Sequence, residues 1–204
     1  MLRHPLEPED EARADFYALL ARLYASAPDA PLLAAIAAAE PLGPDAESGA
    51  ANGIPFAWAS LRAASALADP AAAVEEFQAL FVGVGKSEVS LYASHYLGPQ
   101  SGRPLAQIRA TLASMGLARR AELSEFEDHL SVELETMRML VAGDADRLPA
   151  PIAEQRAFCE RHLMPWVFDC CTAISQCPLA YYYRQVASFT HCFMALERDS
   201  FAVD

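Results

Sequence analysis

The chain has 204 residues, of which 53% are hydrophobic and 21% are charged. This balance is typical of a globular protein and excludes a disordered chain. Its 27 acidic residues outnumber 15 basic ones, so the formal net charge is −12, which disfavours nucleic acid as a partner and favours cationic ligands.

Helical patterns follow one another along the whole chain. The first predicted helix carries four large apolar side chains on one face: Phe16, Leu19, Leu20 and Leu23. The predicted helices cover residues 8–26, 30–40, 55–68, 70–82, 104–115, 125–142, 151–175 and 178–198. No segment shows the alternating pattern of a strand bounded by turn residues. The predicted fold class is therefore all-α, with about eight helices.

Two connections interrupt these helices. Residues 41–53 are rich in Pro, Gly, Asp and Ala and are predicted to form a loop, while residues 83–102 form a longer connection with four glycines. We interpret 1–204 as one all-helical domain, with N-terminal helices at 8–82 and C-terminal helices at 104–198. The long connection is the natural hinge between two sub-halves, and such hinges permit domain exchange, so a swapped homodimer is one expected assembly.

Apolar faces predict which side chains are buried in the later helices. The fourth predicted helix directs Val74, Phe77, Leu80 and Phe81 inward, and the last one carries an apolar stripe. That stripe consists of Leu179, Tyr182, Tyr183, Val186, Phe189 and Phe193. A further stripe consists of Cys159, Leu163, Trp166, Cys170 and Ile174. The cysteines on it, together with Cys171, are expected to be small buried hydrophobes in a reducing compartment.

The ends of the chain and its apolar runs bear on localisation. The first ten residues are polar and acidic, unlike a secretory or transit peptide. The longest apolar run, at 30–39, is much shorter than the roughly 20 residues that a membrane-spanning helix needs. We therefore expect a cytoplasmic protein without stable membrane insertion.

The sixth predicted helix combines polar residues with a buried face. Ser124 and Glu127 have the spacing of a capping box, so this helix is predicted to begin near Glu125, with Asp128 and His129 in its opening turn. Its apolar residues recur at steps of three and four: Leu123, Phe126, Leu130, Leu134, Met137 and Val141. A buried helix that opens with such polar groups is a candidate functional site.

No catalytic signature is complete in the sequence. No serine lies in a Gly-x-Ser-x-Gly nucleophile elbow, and the Gly85-Lys86-Ser87 run lacks the first glycine of a phosphate loop. His129, with Glu125 and Glu133 at four-residue steps, could bind a metal, but no second Glu-x-x-His pair accompanies it. We predict no catalytic residue, metal or cofactor. A metal-dependent helical enzyme that uses His129 and nearby carboxylates stays as the alternative.

Several motifs, taken together and in order, resemble the TorD/DmsD family of chaperones. They are the runs at residues 76–83, 91–97, 125–129, 133–137, 158–166 and 178–182. The resemblance extends over about residues 12 to 195. The family's Glu-Pro-x-Asp-His signature is matched except at Phe126, which stands where proline is usual.

The resemblance implies a cytoplasmic, all-helical, non-catalytic chaperone for molybdopterin-dependent oxidoreductases. Such a chaperone binds the twin-arginine signal peptide or the apo-precursor of its client and delays export until the cofactor has been inserted. The peptide-binding residues that the resemblance implies are Phe77, Leu80, Phe81, Ser94, Tyr96, Glu125, Phe126, Asp128 and His129.

This set of residues suits a signal peptide, which offers guanidinium groups beside an apolar segment. Glu125 and Asp128 could accept a bidentate arginine, while aromatic side chains such as Phe77 hold the apolar part. Two alternatives stay open. Leu80 and Phe81 could be ordinary core residues, and the protein could be a helical adaptor for an unrelated partner.

Overall fold

The computed structural model describes residues 6–43, 53–83, 87–98, 103–117, 125–145 and 147–203. Over these ranges the chain forms ten α-helices, and the predicted all-α class is confirmed. The helices are α1 (Pro8–Ala25), α2 (Ala30–Ala38), α3 (Ile54–Leu67), α4 (Pro70–Phe77), α5 (Ala93–Leu97), α6 (Pro104–Ser114), α7 (Leu130–Ala142), α8 (Ile152–Phe158), α9 (Val167–Gln176) and α10 (Tyr182–Val203). Two π-helical turns, Gln78–Val82 and Cys159–Leu163, continue α4 and α8.

The chain forms two compact units, each built from an early and a late segment. The first unit comprises Met1–Ala25 and Leu91–Trp166, and the second comprises Ser26–Ser90 and Val167–Asp204. The chain therefore passes between the units three times, and only one of these passages falls in the predicted hinge at 83–102. The interpretation of the chain as one domain stays a prediction.

The first unit is organised around α7. Helices α1 and α8 pack against α7, and α5 packs beside α6. The core that they enclose includes Tyr17, Leu20, Leu134, Met137, Phe158 and Trp166, all of which are fully buried. Burial of this many large side chains holds α7 in place along most of its length.

The second unit is organised around α10, which packs against α3, α4 and α9. The rings of Trp58 and Phe189 lie 5.0 Å apart between centroids at the contact of α3 with α10. Glu76 accepts hydrogen bonds from three successive backbone N–H groups, those of residues 181–183, at 2.8 to 3.0 Å. This carboxylate caps α10, which therefore begins at Tyr182 and not at the predicted Pro178.

One long predicted helix is divided in two. The sequence pattern predicted a continuous helix over 151–175, whereas α8 with its π-helical turn ends at Leu163 and α9 begins at Val167. Pro165 explains the break, because it has no N–H to donate and its ring clashes with the preceding helical turn. The predicted burial of the Cys159 stripe is confirmed on both sides of this break.

Three other expectations about the helices are wrong. Residues 83–102, which were predicted to be a connection between helices, include a short helix, α5. Val74 and Leu179, which were predicted to face inward, are exposed. Val74 is exposed because the buried face of α4 is formed by Ala73 and Phe77, which lie one turn apart.

None of the helices in the described ranges is long and apolar enough to cross a membrane.

Candidate functional site

Two backbone segments of the first unit meet and bring several predicted site residues together. The backbone N–H of Ala93 donates to the carbonyl of Asp128 at 2.9 Å, and the N–H of Leu130 donates to the carbonyl of Leu91 at 2.8 Å. These bonds hold residues 128–130 in an extended pairing. An extended backbone cannot continue a helix, so α7 begins at Leu130 and the predicted start near Glu125 is wrong.

His129 is the N-cap residue of α7 and does not lie within its first turn. Its Nδ1 atom accepts a hydrogen bond from the backbone N–H of Ser131 at 3.2 Å and lies 2.7 Å from the hydroxyl of the same serine. Nδ1 is therefore unprotonated and acts as the acceptor. A side-chain oxygen plays this role in the more common N-cap residues. Ser124, the predicted cap, lies outside the described residues.

The charge state of His129 follows from its surroundings. Burial lowers the pKa of His129, and the negative charges of Glu125 and Asp128 counteract this effect only in part. Near pH 7 the imidazole is therefore neutral, with its proton on Nε2. That nitrogen lies 4.0 Å from the carboxylate of Glu125.

Asp128 stabilises a loop and does not face solvent. Its side chain accepts hydrogen bonds from the hydroxyl of Ser94 and, at 3.2 Å, from the N–H of the same residue. Asp128 is only 2% exposed, whereas Ser94 is exposed. The carboxylate therefore holds the first turn of α5 against the start of α7. We conclude that Asp128 positions Ser94 and contributes to any binding surface mainly through it.

Glu125 is the more accessible of the two predicted arginine-binding carboxylates. Its side chain is 36% exposed and accepts a hydrogen bond from the hydroxyl of Tyr92. The Tyr92 ring in turn packs edge-on against His129, with 4.8 Å between ring centroids. This carboxylate is therefore anchored by Tyr92 and is also accessible from the surface.

Phe126 is 49% exposed, so its predicted place on the buried stripe of α7 is wrong. The error arises because Phe126 precedes the helix, where the helical period does not apply. The guanidinium of Arg109 lies over the Phe126 ring, 5.9 Å from the centroid. Arg109 Nε donates a hydrogen bond to the carboxylate of Glu127 at 2.9 Å. Phe126, Arg109 and Glu127 thus form a cation–π contact joined to an ion pair.

Sequence reasoning missed two contributors to this cluster. Tyr92 lies inside one of the motifs that resemble the TorD/DmsD family, so a closer reading of that motif could have included it. Arg109 is a single arginine on α6 with no local signal. Only its placement beside Glu127 and Phe126 shows that it belongs with them.

Tyr96 packs at the buried edge of the same unit. Its ring stacks on Trp166, with 5.5 Å between centroids and 24° between planes. The Trp166 indole N–H donates to the carboxyl group of Glu133 at 3.1 Å. Burial raises the pKa of Glu133 well above its usual range and favours the neutral carboxyl group.

This arrangement bears on the alternative of a metal site. The buried Glu133 side chain is engaged by Trp166, whereas Glu125 lies at the surface beside Tyr92. Over the described ranges, no three His, Cys, Asp or Glu side chains are grouped closely enough to hold a metal ion. The set of His129 with two glutamates that the metal alternative requires is not assembled there.

The remaining predicted residues belong to the second unit. The rings of Phe77 and Phe81 lie 5.3 Å apart and both contact Tyr183, at 5.7 and 5.0 Å between centroids. Leu80 is completely buried, as the core alternative expected, and Phe81 is half-buried. Within the second unit these residues form an aromatic cluster between the end of α4 and α10.

The sequence matches a family and several known proteins. A sequence model of the nitrate reductase delta subunit family matches residues 47–172, more than half of the chain. The chaperone protein TorD of Photobacterium profundum is 32% identical over 101 residues, which are 45% of this chain and 46% of that protein. The perchlorate reductase assembly chaperone protein of Dechloromonas aromatica is 35% identical over 105 residues, 46% of this chain and 47% of that protein. The chain thus matches about half the length of these relatives.

Proposed function

The chain belongs to the nitrate reductase delta subunit family, and on that premise we propose that it is a system-specific chaperone for a molybdopterin-dependent oxidoreductase. In this proposal it is a non-catalytic cytoplasmic protein that binds the twin-arginine signal peptide or the apo-precursor of its client. It delays export until the cofactor has been inserted. The names of the relatives, a TorD chaperone and an assembly chaperone for perchlorate reductase, support this assignment.

The observation that carries the proposal is the placement of Glu125 beside Phe126 at the surface of the first unit. A guanidinium can pair with a carboxylate through its planar fork and stack on an aromatic ring, whereas the ammonium group of lysine has no such plane. Arg109 already makes both kinds of contact, with Phe126 and with Glu127. The formal charge of −12 supports the attraction of a cationic segment over a longer range.

The preference of the protein for peptides with arginine over peptides with lysine tests the proposed function. Calorimetry would compare three peptides that share an apolar segment but begin with two arginines, two lysines or two alanines. We expect the arginine peptide to bind about tenfold more tightly than the lysine peptide, because it gains both pairing and stacking. Equal affinity for the arginine and lysine peptides, or no binding of either, would contradict the proposal.

The Glu125→Gln variant tests the carboxylate at the site. It keeps the size of the side chain and an oxygen that Tyr92 can bond, but it removes the negative charge. We expect affinity for the twin-arginine peptide to fall by about 1–3 kcal/mol, the usual cost of losing a charged hydrogen-bond partner. Glu154→Gln, an exposed position on α8, makes the same change elsewhere in the first unit and should leave affinity unaltered. Identical affinities in the two variants would remove Glu125 from the site.

Arg109 is expected to compete with the peptide. Its contacts with Glu127 and Phe126 occupy groups that an incoming guanidinium could use. The Arg109→Ala variant should therefore bind the twin-arginine peptide more tightly, by up to about 1–2 kcal/mol, which is the combined strength of a surface ion pair and a cation–π contact. Titration of both proteins with the same peptide checks this. Weaker binding by Arg109→Ala would show that Arg109 supports the site and does not compete for it.

A further inference from the structure

A groove runs along the first unit between α1 and α7. It encloses about 490 Å³ and is closed at one side by the end of α6. This volume lies within the range of roughly 300–1,000 Å³ that ligand pockets span. The carboxylate-bearing residues Glu125 and Glu127 line the groove as well. The groove is therefore continuous with the residues proposed to bind arginine.

The walls of the groove are apolar and built from small or adaptable side chains. Three alanines of α1, Ala18, Ala21 and Ala25, are spaced by three and four residues and share one face of the helix. Opposite them, Val132 and Met139 of α7 are half-buried. Methyl groups on one wall leave open volume, and methionine adapts its shape to irregular apolar ligands.

The charged residues that line the groove indicate what kind of ligand fits. Four acidic residues and two arginines line it, and one of these arginines, Arg138, is paired with Glu135 at 2.8 Å. The lining thus has more negative than positive charge and repels acidic segments. An apolar chain that carries cationic residues at one end matches both the apolar walls and the charged lining residues.

We propose that this α1–α7 groove binds the apolar segment that follows the arginine pair of the client's signal peptide. The arginines lie at the Glu125 end of the groove, and the apolar side chains contact the α1 alanines and Val132. This inference rests on the proposed function for the identity of the peptide. The apolar walls of the groove are distinct from Glu125, so they can be tested separately from arginine recognition.

The test is a matrix of peptides and variants measured by calorimetry. One peptide carries two arginines and a leucine-rich segment, a second replaces the leucines by serines, and a third replaces the arginines of the first by lysines. Ala18→Phe fills the groove, and Ala153→Phe makes the same change at an exposed position on α8 outside it. Val132→Ser is a second groove variant, which makes the wall polar without adding volume.

With the unaltered protein and with Ala153→Phe, we expect the leucine peptide to bind about tenfold more tightly than the serine peptide. In Ala18→Phe and Val132→Ser this advantage should fall to about twofold or less, while the preference for arginine over lysine persists. An undiminished leucine advantage in both folded groove variants would overturn the proposal. Loss of the arginine preference in the unaltered protein, with the leucine advantage still dependent on the groove, would instead contradict only arginine recognition.

Discussion

The Trp166→Ala variant is expected to lose about 3–5 kcal/mol of the free energy of unfolding, the usual range for removing a buried aromatic side chain. Trp166 is fully buried, stacks on Tyr96 and donates its indole N–H to Glu133. The substitution leaves a cavity and also leaves the Glu133 carboxyl group without this donor. Urea denaturation followed by far-ultraviolet circular dichroism would measure the loss, because after the change the only tryptophan left, Trp58, lies in the second unit.

A second variant separates packing from hydrogen bonding at the same position. Trp166→Phe keeps most of the aromatic volume but removes the N–H, so we expect it to cost about 1–3 kcal/mol, the penalty for an unsatisfied buried acceptor. Combining it with Glu133→Leu should recover part of this loss, because both polar partners are then gone. If Trp166→Phe is as stable as the unaltered protein, the bond to Glu133 contributes nothing measurable.

The contribution of His162 to the stability of the protein is expected to fall between pH 6.5 and pH 4. This side chain is buried, and its Nε2 lies 2.9 Å from the hydroxyl of Thr111, which itself donates to a backbone carbonyl. The imidazole therefore donates its Nε2–H to Thr111. Burial, aided by the positive charge of Arg161, lowers the pKa of His162 to about 4.

The direction of the pH effect follows from proton binding. Between pH 6.5 and pH 4 the unfolded chain protonates this histidine, whereas the folded protein does not, so unfolding becomes more favourable as the pH falls. A pKa difference of this size corresponds to about 3 kcal/mol over the interval. Glu133 acts in the opposite direction, because its raised pKa costs stability as the pH rises above the usual range of a glutamate.

The His162→Gln variant isolates the contribution of the histidine. Glutamine can still donate an N–H to Thr111 but does not titrate, so the loss of stability between pH 7 and pH 4 should shrink by about 3 kcal/mol relative to the unaltered protein. Urea denaturation at several pH values checks this. His191→Gln, at an exposed position on α10, is the matched control. Parallel pH profiles for the unaltered protein and His162→Gln would refute the assignment.

Local patterns predicted most of the buried side chains, with Val74 of α4 as an exception. The Cys159, Leu163, Trp166, Cys170 and Ile174 stripe is fully buried, because repeated apolar residues on one helical face are buried against almost any neighbour. Helix ends were predicted less well. Pro165 indicated a helix break, but the apolar period that continues past it favoured one long helix. The late start of α10 depends on Glu76, a residue more than a hundred positions away.

Prediction from the sequence was also incomplete for the candidate site. The resemblance grouped nine residues. The structure has Ser94 in contact with Asp128 and His129 beside Glu125 in the first unit, whereas Phe77, Leu80 and Phe81 belong to the second unit. The resemblance did not distinguish their surroundings. Asp128 is buried against Ser94, Tyr96 lies on Trp166, and Glu125 reaches the surface. Phe126, at the position where the family usually has proline, is exposed beneath Arg109 and is not part of the core.

Composition and spacing within single segments were enough to predict the all-α class, most of the buried helical faces, the acidic charge and the family resemblance. The start of α7, the accessibility of Glu125 and the lining of the groove along α1 are visible only in the folded protein. These features depend on hydrogen bonds and contacts between segments far apart in the chain, such as the pairing of Ser94 with Asp128 across 34 positions. No local pattern specifies such partners, because they are determined by tertiary packing.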